Sequence, residues 1–198
     1  LERHINNIKK FSLTPIVAIN SFILDTKKEI SAIKDFCKSL NVEVSESTHW
    51  ADGGKGARDL AKKVVKICKN SKKKNFKFLY KDHQSLWSKV EIVAKEIYKA
   101  SSITADDNVK KQLKIFEDNG YGKLPVCIAK TQYSFSVDPK LKGAPSGHEI
   151  SIREVRLSSG AEFIVVVCGS IMTMPGLPRV PAADKIRLNK KGDIEGLF

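Results

Sequence analysis

Pro15-Ile16-Val17-Ala18-Ile19-Asn20 is a short, continuously apolar run. Such a run marks a strand buried on both faces, as in a parallel sheet. Residues 21–25 follow as a loop. Thr26 then opens a capping box with Glu29, in which the hydroxyl bonds the Glu29 amide and the carboxylate reaches back. Ile30, Ile33, Phe36, Cys37 and Leu40 recur at helical period, and Asn41 supplies a stop. Residues 42–45 predict a second short strand. The loop 46–56, which carries His49, Trp50 and three glycines, leads into a helix over residues 57–69. Its predicted inward face is Leu60, Ala61, Val64, Val65 and Cys68. Strand–helix–strand–helix predicts two parallel neighbours joined by a crossover.

Two strands do not make a stable parallel sheet, so further strands are expected before residue 1. Leu1, Ile5 and Ile8 share one face of an amphipathic helix, and no initiator Met is present. Both features lead us to expect the C-terminal piece of a larger soluble intracellular α/β enzyme.

Downstream, a helix is predicted over residues 85–99, with Leu86, Val90, Val93 and Ile97 on one face and Trp87 in the core. Thr104 is expected to cap a helix over 105–117. Residues 124–129 predict a strand. In residues 149–157, Ile150 and Ile152 are out of phase with Val155 and Leu157, so a bulge is expected near Arg153 and Glu154. A turn at 158–160, a buried strand at 163–167 and a hairpin closed by residues 189–193 complete the pattern.

The 198 residues are 41% hydrophobic and 29% charged, a globular balance. No apolar run approaches the ~18 residues of a membrane span, and no signal peptide opens the chain. Cys37, Cys68, Cys127 and Cys168 are far apart and form no C-x-x-C pair, which leaves zinc and thioredoxin-type sites unsupported. All four are expected to be reduced core residues, suited to the cytoplasm or an organelle matrix. The net charge of +13 has three readings: a solvated lysine face, a basic field for a small polyanion, or a nucleic-acid-binding module. Lys greatly outnumbers Arg, and the densest run, Lys66 to Lys77, holds only Phe76 as an aromatic. Both points weigh against nucleic acid.

In a parallel α/β sheet, ligands bind at the carboxyl ends of the strands. The loops 21–25 and 46–56 have that address, and each carries one aromatic outside the sheet core, Phe22 and Trp50. These rings either stack on a flat heterocycle or fold back as loop anchors. Asp52-Gly53-Gly54-Lys55-Gly56 precedes a helix and offers amides to an anion, but it lacks the P-loop spacing. Residues 130–136 and the stiff loop 172–181, with prolines at 175, 178 and 181, either line a site or brace two domains.

Residues 17–26 (VAINSFILDT), 49–54 (HWADGG), 76–80 (FKFLY), 124–136 (LPVCIAKTQYSFS), 172–183 (MTMPGLPRVPAA) and the terminal Gly-Leu-Phe together closely resemble formate–tetrahydrofolate ligase, over the whole chain and in order. That resemblance implies an α/β fold. The C-terminal part of a P-loop-type parallel α/β domain (residues 1–72) would precede an α+β domain with antiparallel strands (73–198). It implies an ATP-dependent synthesis of 10-formyltetrahydrofolate from formate and tetrahydrofolate through formyl phosphate. Phe22 and Trp50 would sandwich the pterin. ATP would bind mostly outside these residues, with Mg2+ and a monovalent cation as accompanying ions. No catalytic residue and no metal ligand is assigned here. The expected partners are the substrates, the missing N-terminal part and further copies of the intact enzyme, with no nucleic acid and no membrane. Ser21 stands where this family often has a basic residue.

Overall fold

A computed structural model of the chain describes residues 1–70, 76–172, 176 and 178–197. The elements are α1 (Glu2–Lys10), β1 (Ile16–Asn20), α2 (Lys27–Ser39), β2 (Glu43–Ser47), the one-turn helix α3 (His49–Asp52), a 3-10 stretch Gly53–Ala57 and α4 (Arg58–Asn70). After the segment 71–75 come α5 (Leu86–Glu96), β3 (Ser102–Ala105), α6 (Asp107–Asp118), β4 (Val126–Ala129), β5 (Glu149–Ser158), β6 (Phe163–Cys168) and the short β7 (Arg187–Leu188) and β8 (Ile194–Glu195). The expected division at residue 72 and positions 71–75 of the lysine run lie outside the described residues. So do positions 173–175 and 177 of the proline-rich loop and the terminal Phe198. No described helix is long and apolar enough to cross a membrane.

β1 and β2 pair in parallel, with Ile16 opposite Glu43 and Asn20 opposite Ser47. The expected capping box is formed: Thr26 Oγ1 accepts from the Glu29 amide at 3.2 Å, and the Thr26 amide donates to Glu29 Oε2 at 2.9 Å. α2 ends where Asn41 takes a φ of 52°, a left-handed conformation that Asn tolerates. Cys37 is fully buried on its inner face.

The second sheet has the order β3-β5-β6-β4. β5 and β6 are antiparallel, joined by the turn at Ser159–Ala161, whereas β3 runs parallel to β5 and β4 parallel to β6. The sheet is therefore mixed rather than antiparallel. Its outer strands arrive by longer connections, not by hairpins, so no tight turn reverses them against their neighbours. The register shift between Ile152 and Glu154 is the bulge that the phase break in the sequence predicts. One core joins the sheet to its helices: Leu86, Val90 and Ala94 of α5, Leu113 and Phe116 of α6, Ile150 and Ile152 of β5, and Ile164 and Val166 of β6. Trp87 packs against it, partly buried. α1 is tied to this part of the molecule, where Asn7 Nδ2 donates to the Ile97 carbonyl at 3.0 Å and Lys10 pairs with Glu96 at 2.7 Å.

Three expectations need correction. Thr104 does not cap α6. It lies within β3, and the Asp106 side chain accepts from the Val109 amide at 2.8 Å instead, because pairing with β5 extends residues 102–105. Only two of the four cysteines are core. Cys37 and Cys168 are buried, Cys68 and Cys127 exposed, and all are free. Cys127 points outward from an edge strand, and Cys68 lies on α4, which buries no residue at all. The predicted inward face of α4 is likewise open, with Val64 at 39% and Val65 at 51% exposure, since two strands give the helix little to pack on.

Candidate functional site

The parallel register sets Asn20 beside Ser47, so the chain leaves β1 and β2 side by side at one end of the sheet. Ser21 continues the pairing: its amide donates to the Ser47 carbonyl at 3.0 Å, and the residue is buried. The loop then closes on itself. Asp25 N donates to the Phe22 carbonyl at 3.0 Å, and Phe22 N donates to Asp25 Oδ2 at 2.7 Å. This tight closure leaves Phe22, Ile23 and Leu24 exposed.

On the β2 side, Thr48 Oγ1 donates to Asp52 Oδ2 at 2.6 Å and fixes the single turn of α3, so Trp50 stands on a helical turn rather than in an open loop. Gly56 passes against that turn. Its carbonyl accepts from Thr48 N at 3.2 Å, and a Cβ at Gly56 would lie 2.5 Å from the Thr48 carbonyl carbon. Only glycine fits there without movement, because the obstacle is backbone. His49 Nδ1 lies 3.1 Å from Ser47 Oγ.

These turns bring Phe22 and Trp50 together. Their ring centroids are 5.6 Å apart and their planes are inclined by 21°. Neither ring enters the sheet core, with exposures of 52% and 51%. The rings stack on each other with a lateral offset, so the gap that a sandwiched pterin would occupy is not open between them. A heterocycle between their facing surfaces would need its own centroid about 4.5–7 Å from each ring, which requires the two to part.

The indole is anchored. Trp50 Nε1 donates to the Ser21 carbonyl at 2.7 Å. Ser21 Oγ donates to Glu46 Oε1 at 3.3 Å, and Lys34 holds the other Glu46 oxygen at 2.9 Å. The Lys34 hydrogen bond, aided by its charge, keeps the Glu46 carboxyl below the ordinary carboxylate range despite some desolvation. The sequence reading missed this Lys34–Glu46–Ser21–Trp50 chain. Its only sequence signal is a serine and a glutamate at the ends of neighbouring strands.

The loop 130–136 lies on the other sheet. Lys130 Nζ donates to the carbonyls of Thr131 at 2.9 Å and Ser136 at 3.0 Å, bonds that of Ser134, and sits 5.0 Å from the Tyr98 ring centroid. Desolvation pushes this lysine below its ordinary range. It braces the loop, while Gln132 and Tyr133 face solvent. Among the described residues no group of three or more His, Cys, Asp or Glu is placed to hold a metal ion.

The formate–tetrahydrofolate ligase family model matches residues 1–198. Proteins named formate–tetrahydrofolate ligase from Pelagibacter ubique, Ruegeria pomeroyi and Sinorhizobium fredii are 59%, 54% and 55% identical over all 198 residues. The chain spans 35% of the length of each of these relatives. The nucleic-acid alternative, drawn from charge alone, finds no support in these matches. With the family model covering every residue, the chain belongs to the formate–tetrahydrofolate ligase family.

Proposed function

We propose that these residues form the folate-stacking part of an ATP-dependent ligase. In the intact protein, formate attacks the γ-phosphate of ATP to give formyl phosphate and ADP. N10 of tetrahydrofolate then attacks the formyl carbon and displaces phosphate, leaving 10-formyltetrahydrofolate. The observation that carries this reading is the 54–59% identity, over every residue, to proteins bearing that name.

Phe22 and Trp50 are the proposed pterin walls. Support comes from their address at the carboxyl ends of adjacent parallel strands and from two half-exposed rings stacked with their planes inclined by 21°. A stacked aromatic contact is worth about 0.5–1.5 kcal/mol beyond its buried area. An entering pterin replaces one ring–ring contact by two ring–pterin contacts. Trp50, bonded to Ser21, is the fixed wall, and Phe22, on a locally closed loop, is the one that moves.

No G-x-x-x-x-G-K-S/T sequence occurs in these residues, so the phosphate cradle is assigned to the part of the family's chain outside them. A basic field (+13) suits ATP and the glutamate tail of folate, both anionic. The four free cysteines fit the cytoplasm or an organelle matrix. Formate, tetrahydrofolate and ATP supplied to a polypeptide of the relatives' full length should yield 10-formyltetrahydrofolate, followed by mass spectrometry. Residues 1–198 alone should yield none. Failure of the long chain to form product, or turnover by the short one, would refute the corresponding half of the proposal.

A further inference from the structure

We infer that Ile23 and Leu24 form a shelf on which the p-aminobenzoyl ring of tetrahydrofolate lies. The turn after β1 then carries both the moving wall for the pterin and the support for the next ring of the same ligand. This subsite rests on the folate reading of Phe22 and Trp50 and extends it.

Phe22, Ile23 and Leu24 are three consecutive large apolar residues at the tip of a turn. Turn tips favour small or polar residues, and a run of exposed apolar side chains marks a contact surface. Ile23 is 86% exposed and Leu24 89%. The turn beneath them is fixed. The Asp25 carboxylate accepts from the Phe22 amide, the Phe22 carbonyl accepts from the Asp25 amide, and the capping box of Thr26 and Glu29 follows at once. A partner that covers the two side chains removes apolar surface from water without first having to order the backbone.

The occupant follows from the order of groups along the chain. In tetrahydrofolate only C9 and N10 separate the pterin from the benzene ring, and a glutamate with its carboxylates comes next. In the protein, Phe22 is followed directly by Ile23 and Leu24, whose Cα atoms lie about 4–8 Å from that of Phe22. Lys27 and Lys28 come next, at the start of α2. Both lysines are exposed, and among the described residues neither forms an ion pair. Asp25 and Glu29 are turned to backbone instead, Asp25 to the amide of Phe22 and Glu29 to that of Thr26. Aromatic wall, aliphatic shelf and free cations thus repeat the order heterocycle, benzene ring and carboxylates. The loop on the other side of the stack offers no such support. Beyond Trp50 it supplies Ala51, Asp52, Lys55 and the glycines 53, 54 and 56, with no large aliphatic side chain. The ligand therefore leaves the stack over the Phe22 turn. A benzene ring held there also restrains N10, the nitrogen bonded to it, and sets the direction from which N10 meets the formyl carbon.

Calorimetric titration of tetrahydrofolate into the polypeptide of the relatives' full length, without nucleotide or formate, tests the shelf. Ile23→Ser with Leu24→Ser should raise the Kd about tenfold. Ile23→Leu with Leu24→Ile, which keeps the apolar surface, should stay within about threefold. In a Phe22→Ala background the Ile23→Ser, Leu24→Ser pair should again cost about tenfold, because independent contacts add. An unchanged Kd in the Ile23→Ser, Leu24→Ser variant would overturn the shelf. So would a rise that vanishes in the Phe22→Ala background, which would mean that the turn only positions Phe22. A lower urea midpoint for that variant, or separation of its subunits in sedimentation, would show that protein covers the two side chains and would overturn the shelf as well. Trp50→Ala titrated alongside keeps the two claims apart. Weaker binding in Trp50→Ala but not in Ile23→Ser, Leu24→Ser defeats the shelf alone, whereas binding untouched by Trp50→Ala defeats the pterin reading itself.

Discussion

Trp50 stacks on Phe22 at 5.6 Å and bonds, through its indole N–H, to the carbonyl of Ser21, the residue that immediately precedes Phe22. One ring is thus tied to the backbone that launches the other. Ser21 is bonded in turn to Ser47 and Glu46, so the sheet itself sets where the indole stands. Mobility is left to the Phe22 ring and the short turn behind it.

Gly56 is where the Trp50 turn is most sensitive to bulk. A Cβ there would lie 2.5–2.7 Å from backbone atoms of Thr48 and His49. Gly56→Ala should cost about 1–3 kcal/mol by overpacking, seen as a lower urea midpoint with an unchanged slope. Because α3 must shift, Trp50 fluorescence should change as well. Unaltered stability would mean that the turn adjusts freely.

Lys89 is fully buried, and its Nζ donates to the carbonyls of Gly122 at 2.8 Å and Leu124 at 3.0 Å. Lys89→Met leaves both carbonyls without that donor, and a loss of about 1–3 kcal/mol is expected. Desolvation lowers the lysine below its ordinary 10.5, with Asp82 and Glu117 partly opposing. The unfolded chain therefore holds this proton to higher pH than the folded one. Between the lowered folded value and 10.5 the contribution of Lys89 to stability rises with pH. Below that window both states are protonated and the penalty is constant. Urea titrations from neutral to alkaline pH should show a slope in the native protein that Lys89→Met reduces.

The cysteines should divide in two under native alkylation. Cys168 is buried, and desolvation pushes its thiol up to about 12. Cys37 is buried and shifted upward by the same cause. Cys68 and Cys127 are exposed. Iodoacetamide at pH 8 should label Cys68 and Cys127 of residues 1–198 at least about tenfold faster than Cys37 and Cys168, as read by peptide mass spectrometry. Equal labelling of all four would show that the buried pair is reached by opening.

What could be read from the sequence was local. β1 showed itself as an uncharged apolar run, α2 through Thr26 and Glu29, and the bulge in β5 through the slip between Ile152 and Val155. β3 did not, because its four residues are extended only by β5, some forty-five positions later, and Thr104 beside Asp106 imitates a helix cap. The apolar stripe of α4 was visible, but its exposure was not, since burial depends on what covers it. At the site, Phe22 and Trp50 stood out as aromatics just past buried strands. Their mutual contact and the role of Ser21 arise from the register of Asn20 beside Ser47, which no local pattern encodes.

The pterin assignment of Trp50 and Phe22 is tested most directly by steady-state kinetics of the full-length polypeptide with Trp50→Ala. Losing one stacking face and its buried area should raise the apparent KM for tetrahydrofolate by more than about tenfold. Phe22→Ala should act in the same direction but less strongly, as the smaller ring covers less of the pterin. The KM for ATP should change less than about twofold, since the phosphate cradle is assigned elsewhere. An unchanged KM for tetrahydrofolate in Trp50→Ala, or an equal rise for ATP, would contradict the assignment.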